Sequence, residues 1–152
     1  MATRIRPALP SEAGAIRVVV RDAYARWVVP LGREPSPMQW DYARRIVDGL
    51  AWVLEVEGEI VGLIELKAGP EALLISNVAV ISAEQGKGHG KRLIAFAEEE
   101  AKQRGYGEIR LYVNALMVEN ISLYQHIGFT EIERFHSKDT GRVYVAMAKP
   151  VA

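Results

Sequence analysis

Between Gln85 and Gly90 the chain reads Gln-Gly-Lys-Gly-His-Gly, and an amphipathic run, KRLIAFAEEEAKQRG, follows at once. Glycine at every second position is unfavourable in strand or helix, because glycine loses the most backbone freedom on ordering. In a turn that leads into a helix, a bare backbone has a chemical use. Successive N–H groups of the turn, together with the positive end of the helix, form a cradle for an anion such as pyrophosphate. Lys87, Lys91 and Arg92 bring cationic side chains to the same end. The second group suited to chemistry is Glu65. In VGLIELK, strand alternation puts it on the face shared by Val61 and Leu63. A carboxylate buried on an apolar face titrates above its usual range, where it can serve as a proton acceptor. At a solvated strand end it would not, and both placements fit the sequence.

Other chemistries fall away. The chain has no cysteine, which excludes disulfide scaffolds, thiolate nucleophiles and cysteine-type metal sites. His89, His126 and His136 lack metal-ligand spacing, so no metal is expected. A Walker loop needs G-x-x-x-x-G-K-[ST]; aligned on Gly90-Lys91, the chain offers Gln85 for the first glycine and Arg92 for the hydroxyl residue. A dinucleotide fingerprint needs G-x-G-x-x-G straight after a strand. Here Gly86, Gly88 and Gly90 make G-x-G-x-G, and Ser82 to Gln85 intervene. A flexible loop with no ligand is the remaining alternative to the anion cradle.

The elements that must position these groups follow from the pattern. Arg4 to Leu9 reads as a short strand, and Ser11 as the cap of a helix from Glu12 to about Trp27, with Ile16, Val19, Val20, Ala23 and Trp27 at helical spacing. VVPLGREPSPM reads as an irregular loop, and Gln39 to Val47 as a second helix ended by Asp48-Gly49. The stretch from Ala51 to Ile81 reads as three antiparallel strands with turns at Glu57-Gly58 and Ala68-Gly69-Pro70. After the glycine loop come a helix closed by Gly105 in left-handed conformation, the strand EIRLYVNA, a short helix in VENISLYQHIGF, and the strand RVYVAMAKPV. The order β-α-α-β-β-β-α-β-α-β predicts an α/β (mixed α+β) fold: a central, mostly antiparallel mixed sheet with helices on both faces. At 152 residues, with no linker or repeat, residues 1–152 are expected to form one domain.

Taken together, NVAVISAEQGKGHGKRLIAFAEEEA and ENISLYQHIGF resemble the two signatures of the GNAT N-acetyltransferase superfamily. Gln85, Gly86, Lys87, Gly88, His89 and Gly90 fill its Q/R-x-x-G-x-G/A pattern. The Leu-Tyr and Gly-Phe of the second stretch match its short helix. The likeness covers nearly the whole chain in element order, and Asn77 to Phe129 in motif detail.

The resemblance implies direct transfer of acetyl from acetyl-CoA to an amine, without a covalent enzyme intermediate. Backbone amides of Val78, Ala79 and Val80, on a bulged strand, would meet the pantetheine arm and the thioester. The amides from Gln85 to Gly90, with Lys91, would hold the diphosphate. His89 adds charge if protonated, or is an exposed loop histidine with no role. Tyr124 matches the tyrosine that protonates the departing thiolate, although an amphipathic core tyrosine would look the same in sequence. Asn120 lies one turn earlier on the same face. Many family members carry Asn seven residues before the tyrosine; here that residue is Met117, and Asn120 or Asn114 stands in for it. Glu65 is the candidate general base, with water as the alternative carrier and Asn77 able to orient it. The acceptor would meet the first two helices and their loop, with Trp27, Trp40 and Tyr42 as pocket walls and Arg33 and Glu34 as polar handles.

The expected activity is therefore an acetyl-CoA-dependent N-acetyltransferase acting on a primary amine of a small molecule, peptide or protein. The rival is a non-catalytic acyl-CoA-binding or sensor module of the same fold, which would dispense with Tyr124 and a base. A nucleotide-binding regulatory domain is disfavoured by the failed motifs. Nineteen basic and nineteen acidic residues leave no net field for nucleic acid or an anionic membrane. The N-terminal stretch makes a poor signal peptide and no run is long enough to span a bilayer, so the expected location is cytoplasmic. The final apolar strand and the tryptophan-rich front are candidate surfaces for a homodimer.

Overall fold

Periodicity along the chain becomes seven strands and five helices in the computed structural model, which describes residues 2–151. In order these are β1 (Thr3–Pro7), α1 (Ala13–Tyr24), α2 (Val28–Leu31), α3 (Tyr42–Val47), β2 (Ala51–Val56), β3 (Glu59–Ala68) and β4 (Leu73–Val80). Then follow α4 (His89–Gln103), β5 (Glu108–Asn114), α5 (Val118–Ile127), β6 (Thr130–His136) and β7 (Val143–Pro150). The strands are ordered β1-β2-β3-β4-β5-β7-β6. β4 and β5 run parallel, while β1–β2, β2–β3, β5–β7 and β6–β7 are antiparallel. This is the mixed, mostly antiparallel sheet that the pattern predicts. The chain folds into two compact units, one running through Leu66 with Asn77–Phe96 added, the other comprising Lys67–Ser76 and everything from Ala97 onward.

In the first unit the β2–β3 hairpin turns at Glu57 and Gly58, whose φ angles are +51° and +83°. Two successive left-handed residues match the right-handed twist of the strands they join. Ile16, Val19 and Val20 of α1 pack with Tyr42 and Ile46 of α3 against Val53, Leu63 and Ala79. Alternation sends Trp52 to the other face, where its ring lies 5.6 Å from that of Phe96 on α4. Helices therefore cover both faces of this part of the sheet. β3 and β4 approach closely at Gly62, where a Cβ would fall 2.9 Å from the Ala79 carbonyl oxygen.

Three local expectations are corrected. Ser11 does not cap α1: a 3-10 turn occupies Pro10–Glu12, and α1 starts at Ala13 without a side-chain cap. The Glu12 carboxylate instead accepts the Leu9 N–H at 2.7 Å and pairs with Arg6 at 2.6 Å. The helix also stops sooner, at Tyr24, and passes through a 3-10 turn into α2 inside the expected loop. Pro30 is the third residue of α2, where the first helical N–H groups need no partner, and Gly32 at φ +74° ends the turn.

In the second unit Gly105 closes α4 at φ +83° and Gly128 follows α5 at φ +122°, the glycine terminations the sequence predicts. β6 is the element the pattern missed. Each of its residues is exposed, and a register shift between Glu131 and Glu133 breaks the alternation that would have marked it.

Candidate active site

Gln85 to Gly88 form a tight turn that runs into His89 and Gly90, the first residues of α4. Gly86 and Gly88 have φ of +80° and +84°, a region that side chains other than glycine rarely occupy. Gly90 lies outside that region, in the first turn of α4, and a Cβ built on it would meet no atom within 4 Å beyond its chain neighbours and its own helix backbone. The protein's own packing therefore gives no reason for glycine at 90. No protein atom covers the backbone at Gly86, Gly88 or Gly90 on the side a Cβ would take, so the turn has room for a diphosphate. Gln85 reaches back so that its Nε2 donates to the Val80 carbonyl at 3.0 Å. Lys87 pairs with Glu84 at 2.8 Å, and this contact first, His89 second, holds the Glu84 carboxyl below its usual range. Lys91 is exposed and pairs with no carboxylate among the described residues.

His89 is not an exposed loop residue. It opens α4 with only 3% of its surface exposed. Its Nε2 lies 3.1 Å from Glu84 Oε1 and its Nδ1 lies 3.3 Å from Arg92 Nη1. A guanidinium can only donate, so Nδ1 accepts and Nε2–H donates to Glu84. The side chain thus braces the turn.

The second assembly surrounds Glu65, which is fully buried on β3 rather than lying at a solvated end. Arg45 of α3 donates its Nε to Glu65 Oε2, and Asn77 Nδ2 donates to Oε1 at 3.2 Å. Asn77, itself 3% exposed, also donates to the Tyr42 hydroxyl at 3.2 Å and accepts from the Tyr24 hydroxyl at 2.6 Å. Its three contacts set the orientation of the Asn77 amide. The Tyr42 hydroxyl donates to the Pro37 carbonyl at 2.5 Å. The Arg45 guanidinium lies 4.0 Å above the Trp40 ring. Burial raises the Glu65 carboxyl above its usual range, while Arg45 and Asn77 pull it back. Burial, with the Glu65 charge adding to it, likewise raises the Tyr42 phenol.

Trp40 and Tyr42 thus join the Glu65 assembly. Trp27 is buried under the guanidinium of Arg26, 4.8 Å from its ring centre. Of the expected polar handles, Glu34 pairs with Arg21 at 2.8 Å, and Arg33 is exposed. Val78 and Val80 are half-buried and Ala79 is buried, in the alternation of β4. Two members of the assembly were missing from the expected site. Tyr24 sits on a helix whose apolar stripe gave it no distinction, and Arg45, next to Arg44, reads as an ordinary cation in the last turn of α3.

In the second unit, α5 carries both Asn120 and Tyr124. Tyr124 is half-buried, its ring edge-on to Phe129 at 5.7 Å. Its hydroxyl makes no hydrogen bond to any described residue, and burial pushes the phenol up to about 12. Met117 is buried at the start of α5, and Asn114 Oδ1 accepts the Leu116 N–H at 2.9 Å. Among the described residues no group of acidic or histidine side chains could hold a metal ion, and no helix is long and apolar enough to cross a membrane.

Residues 16–129 match the model of the acetyltransferase (GNAT) family. The chain is 36% identical over 86 residues to an uncharacterized N-acetyltransferase of Escherichia coli (strain K12), YjgM, over 54% of this chain and 52% of that protein. It is 30% identical over 107 residues to N-acetyltransferase family 8 member 2 of Rattus norvegicus, over 66% of this chain and 44% of that protein. The matches span about half the length of these relatives. The PaiA N-acetyltransferase of Thermoplasma acidophilum, solved in complex with coenzyme A, aligns over 99% of both chains with a TM-score of 0.82 at 22% identity, a likeness of fold.

Proposed function

Because this chain belongs to the acetyltransferase (GNAT) family, we propose that it is an N-acetyltransferase passing the acetyl group of acetyl-CoA directly to a primary amine of a small molecule or peptide. The observation that carries the reading is the turn ahead of α4, with two left-handed glycines and a third whose Cβ direction is open. In this reading residues 1–152 act as one transferase domain. The backbone N–H groups from Gly86 to Gly90, with Lys87 and Lys91, hold the diphosphate, the Gln85 N–H being donated to the Ser82 carbonyl at 3.3 Å, and the amides of Val78 to Val80 meet the pantetheine arm.

Transfer breaks the thioester C–S bond and forms an amide C–N bond. The amine gives up a proton, and the departing thiolate takes one. Glu65 is the acceptor in this reading, reached through water because its side chain has no exposed surface. Tyr124 is the donor. Its raised phenol stays protonated at neutral pH, and no described residue hydrogen-bonds its hydroxyl. Asn120, one turn before it, is assigned to the pantetheine.

Calorimetric titration with acetyl-CoA, with ATP and NAD as controls, tests the cradle, and release of free CoA with a panel of amines tests the transfer. Micromolar binding of acetyl-CoA alone, with amine-dependent CoA release, is the expected result. Binding without release from any amine would favour the sensor module. Tyr124→Phe keeps the ring against Phe129 and should lower kcat roughly 100-fold with little change in acetyl-CoA affinity. Equal turnover would remove the tyrosine from the mechanism.

A further inference from the structure

Arg45 is built as a receptor. Its Nε is committed to Glu65, and its guanidinium carbon lies 4.0 Å from the centre of the Trp40 ring, so the group is held at two points. The remaining edge of the guanidinium has no hydrogen bond to any described residue. With 22% of the side chain exposed and neither terminal nitrogen among the buried unsatisfied atoms, that edge opens to solvent. A planar fork held rigid from behind, with two free N–H groups in front, matches a carboxylate in bidentate geometry. Glu65 offsets part of the charge but is bound at Nε, so it leaves the terminal N–H groups to a second acceptor. Arg17, close enough to lower the Tyr42 phenol, adds a second positive charge to the neighbourhood.

The position of the fork matters as much as its shape. Glu65 joins Arg45 to Asn77, and Asn77 is the residue before Val78, where the proposed thioester strand begins. From these contacts we infer that Arg45 binds a free carboxylate on the acceptor, so that the amine acetylated belongs to an amino-acid-like molecule. The inference rests on the transferase reading and narrows its substrate class. Arg45 is a specificity residue here, and Glu65 and Trp40 are the groups that position it.

The test compares acids with their primary amides. N-acetylglycine, N-acetyl-L-glutamate and N-acetyl-L-methionine, each beside its amide, are titrated against the protein with tryptophan fluorescence as the readout. In parallel the free amino acids, their amides and the matching dipeptides are assayed for CoA release. At least one acid should bind about tenfold or more tightly than its amide, with the same preference in kcat/KM. In Arg45→Lys the charge beside Glu65 is kept and the fork is lost, so the preference should fall to about threefold or less. A preference for the dipeptide over the free amino acid would keep the carboxylate site and place it further from the amine. Equal binding of acids and amides by the unaltered protein overturns the inference, whether or not the variant folds, and so does a preference that Arg45→Lys leaves intact. Acetylation without acid preference removes this inference and leaves the transferase standing. Arg45-dependent acid binding without acetylation of any amine does the reverse.

Discussion

The turn from Gln85 to Gly90 and the assembly around Glu65 are built from opposite materials. The turn offers backbone N–H groups on an exposed rim, shaped by two left-handed glycines. The assembly offers side chains that interlock in the interior, with Glu65 fully buried and Asn77 3% exposed. Each contact in the turn is made by neighbours in sequence. The assembly draws Arg45, Tyr42 and Tyr24 to Glu65 and Asn77 across 20, 35 and 53 positions of chain. A backbone cradle can lose one side chain and keep its shape. A buried polar assembly cannot, because each partner removed leaves another unsatisfied in a low-dielectric setting.

Substitutions can separate the two. The largest effect is expected at Gly88→Val, which puts a β-branched residue at φ +84°. Acetyl-CoA affinity by calorimetry should fall at least about 100-fold, with circular dichroism unchanged; full affinity would mean that the turn is not the cradle. Next comes Arg45→Ala, which should cost about 3 kcal/mol in urea unfolding at neutral pH by leaving the Glu65 charge buried and unpaired. The sign with pH is definite. Burial raises the folded carboxyl above its unfolded value, so the penalty is present only while Glu65 is ionised and fades as pH falls through the folded pKa. A deficit constant with pH would instead assign Arg45 to packing on Trp40.

Glu65→Gln should lower kcat about tenfold near neutral pH and flatten the acidic limb of the pH–rate profile, since only the ionised carboxylate accepts a proton. A limb that does not move would leave proton removal to water. The smallest effect sharpens the comparison most. Gly90→Ala meets no protein atom and does not sit at positive φ. Thermal stability should hold or rise by up to about 1 kcal/mol, while acetyl-CoA affinity drops about threefold to tenfold. Unchanged affinity would show that no phosphate lies against that position.

What could be read from the chain, and what could not, divides along the same line. The glycines of the loop, the Glu57-Gly58 turn and the stops at Gly105 and Gly128 are visible because each is a short-range conformational demand answered by one residue type. Glu65 was visible as an anomaly, a carboxylate in an apolar run, although its partners were not. β6 went unread since a fully exposed strand with a shifted register shows no period.

The amino-acid sequence by itself determined the glycine turn, the Glu57-Gly58 hairpin and the helix stops at Gly105 and Gly128, because backbone preferences act over a few residues and do not depend on the rest of the fold. Only the tertiary structure decided that Arg45 faces Glu65, that Asn77 joins two tyrosines to that carboxylate, and that His89 is a buried brace instead of a loose charge. Those outcomes depend on burial, which strips water from polar groups and makes them seek one another across long stretches of chain.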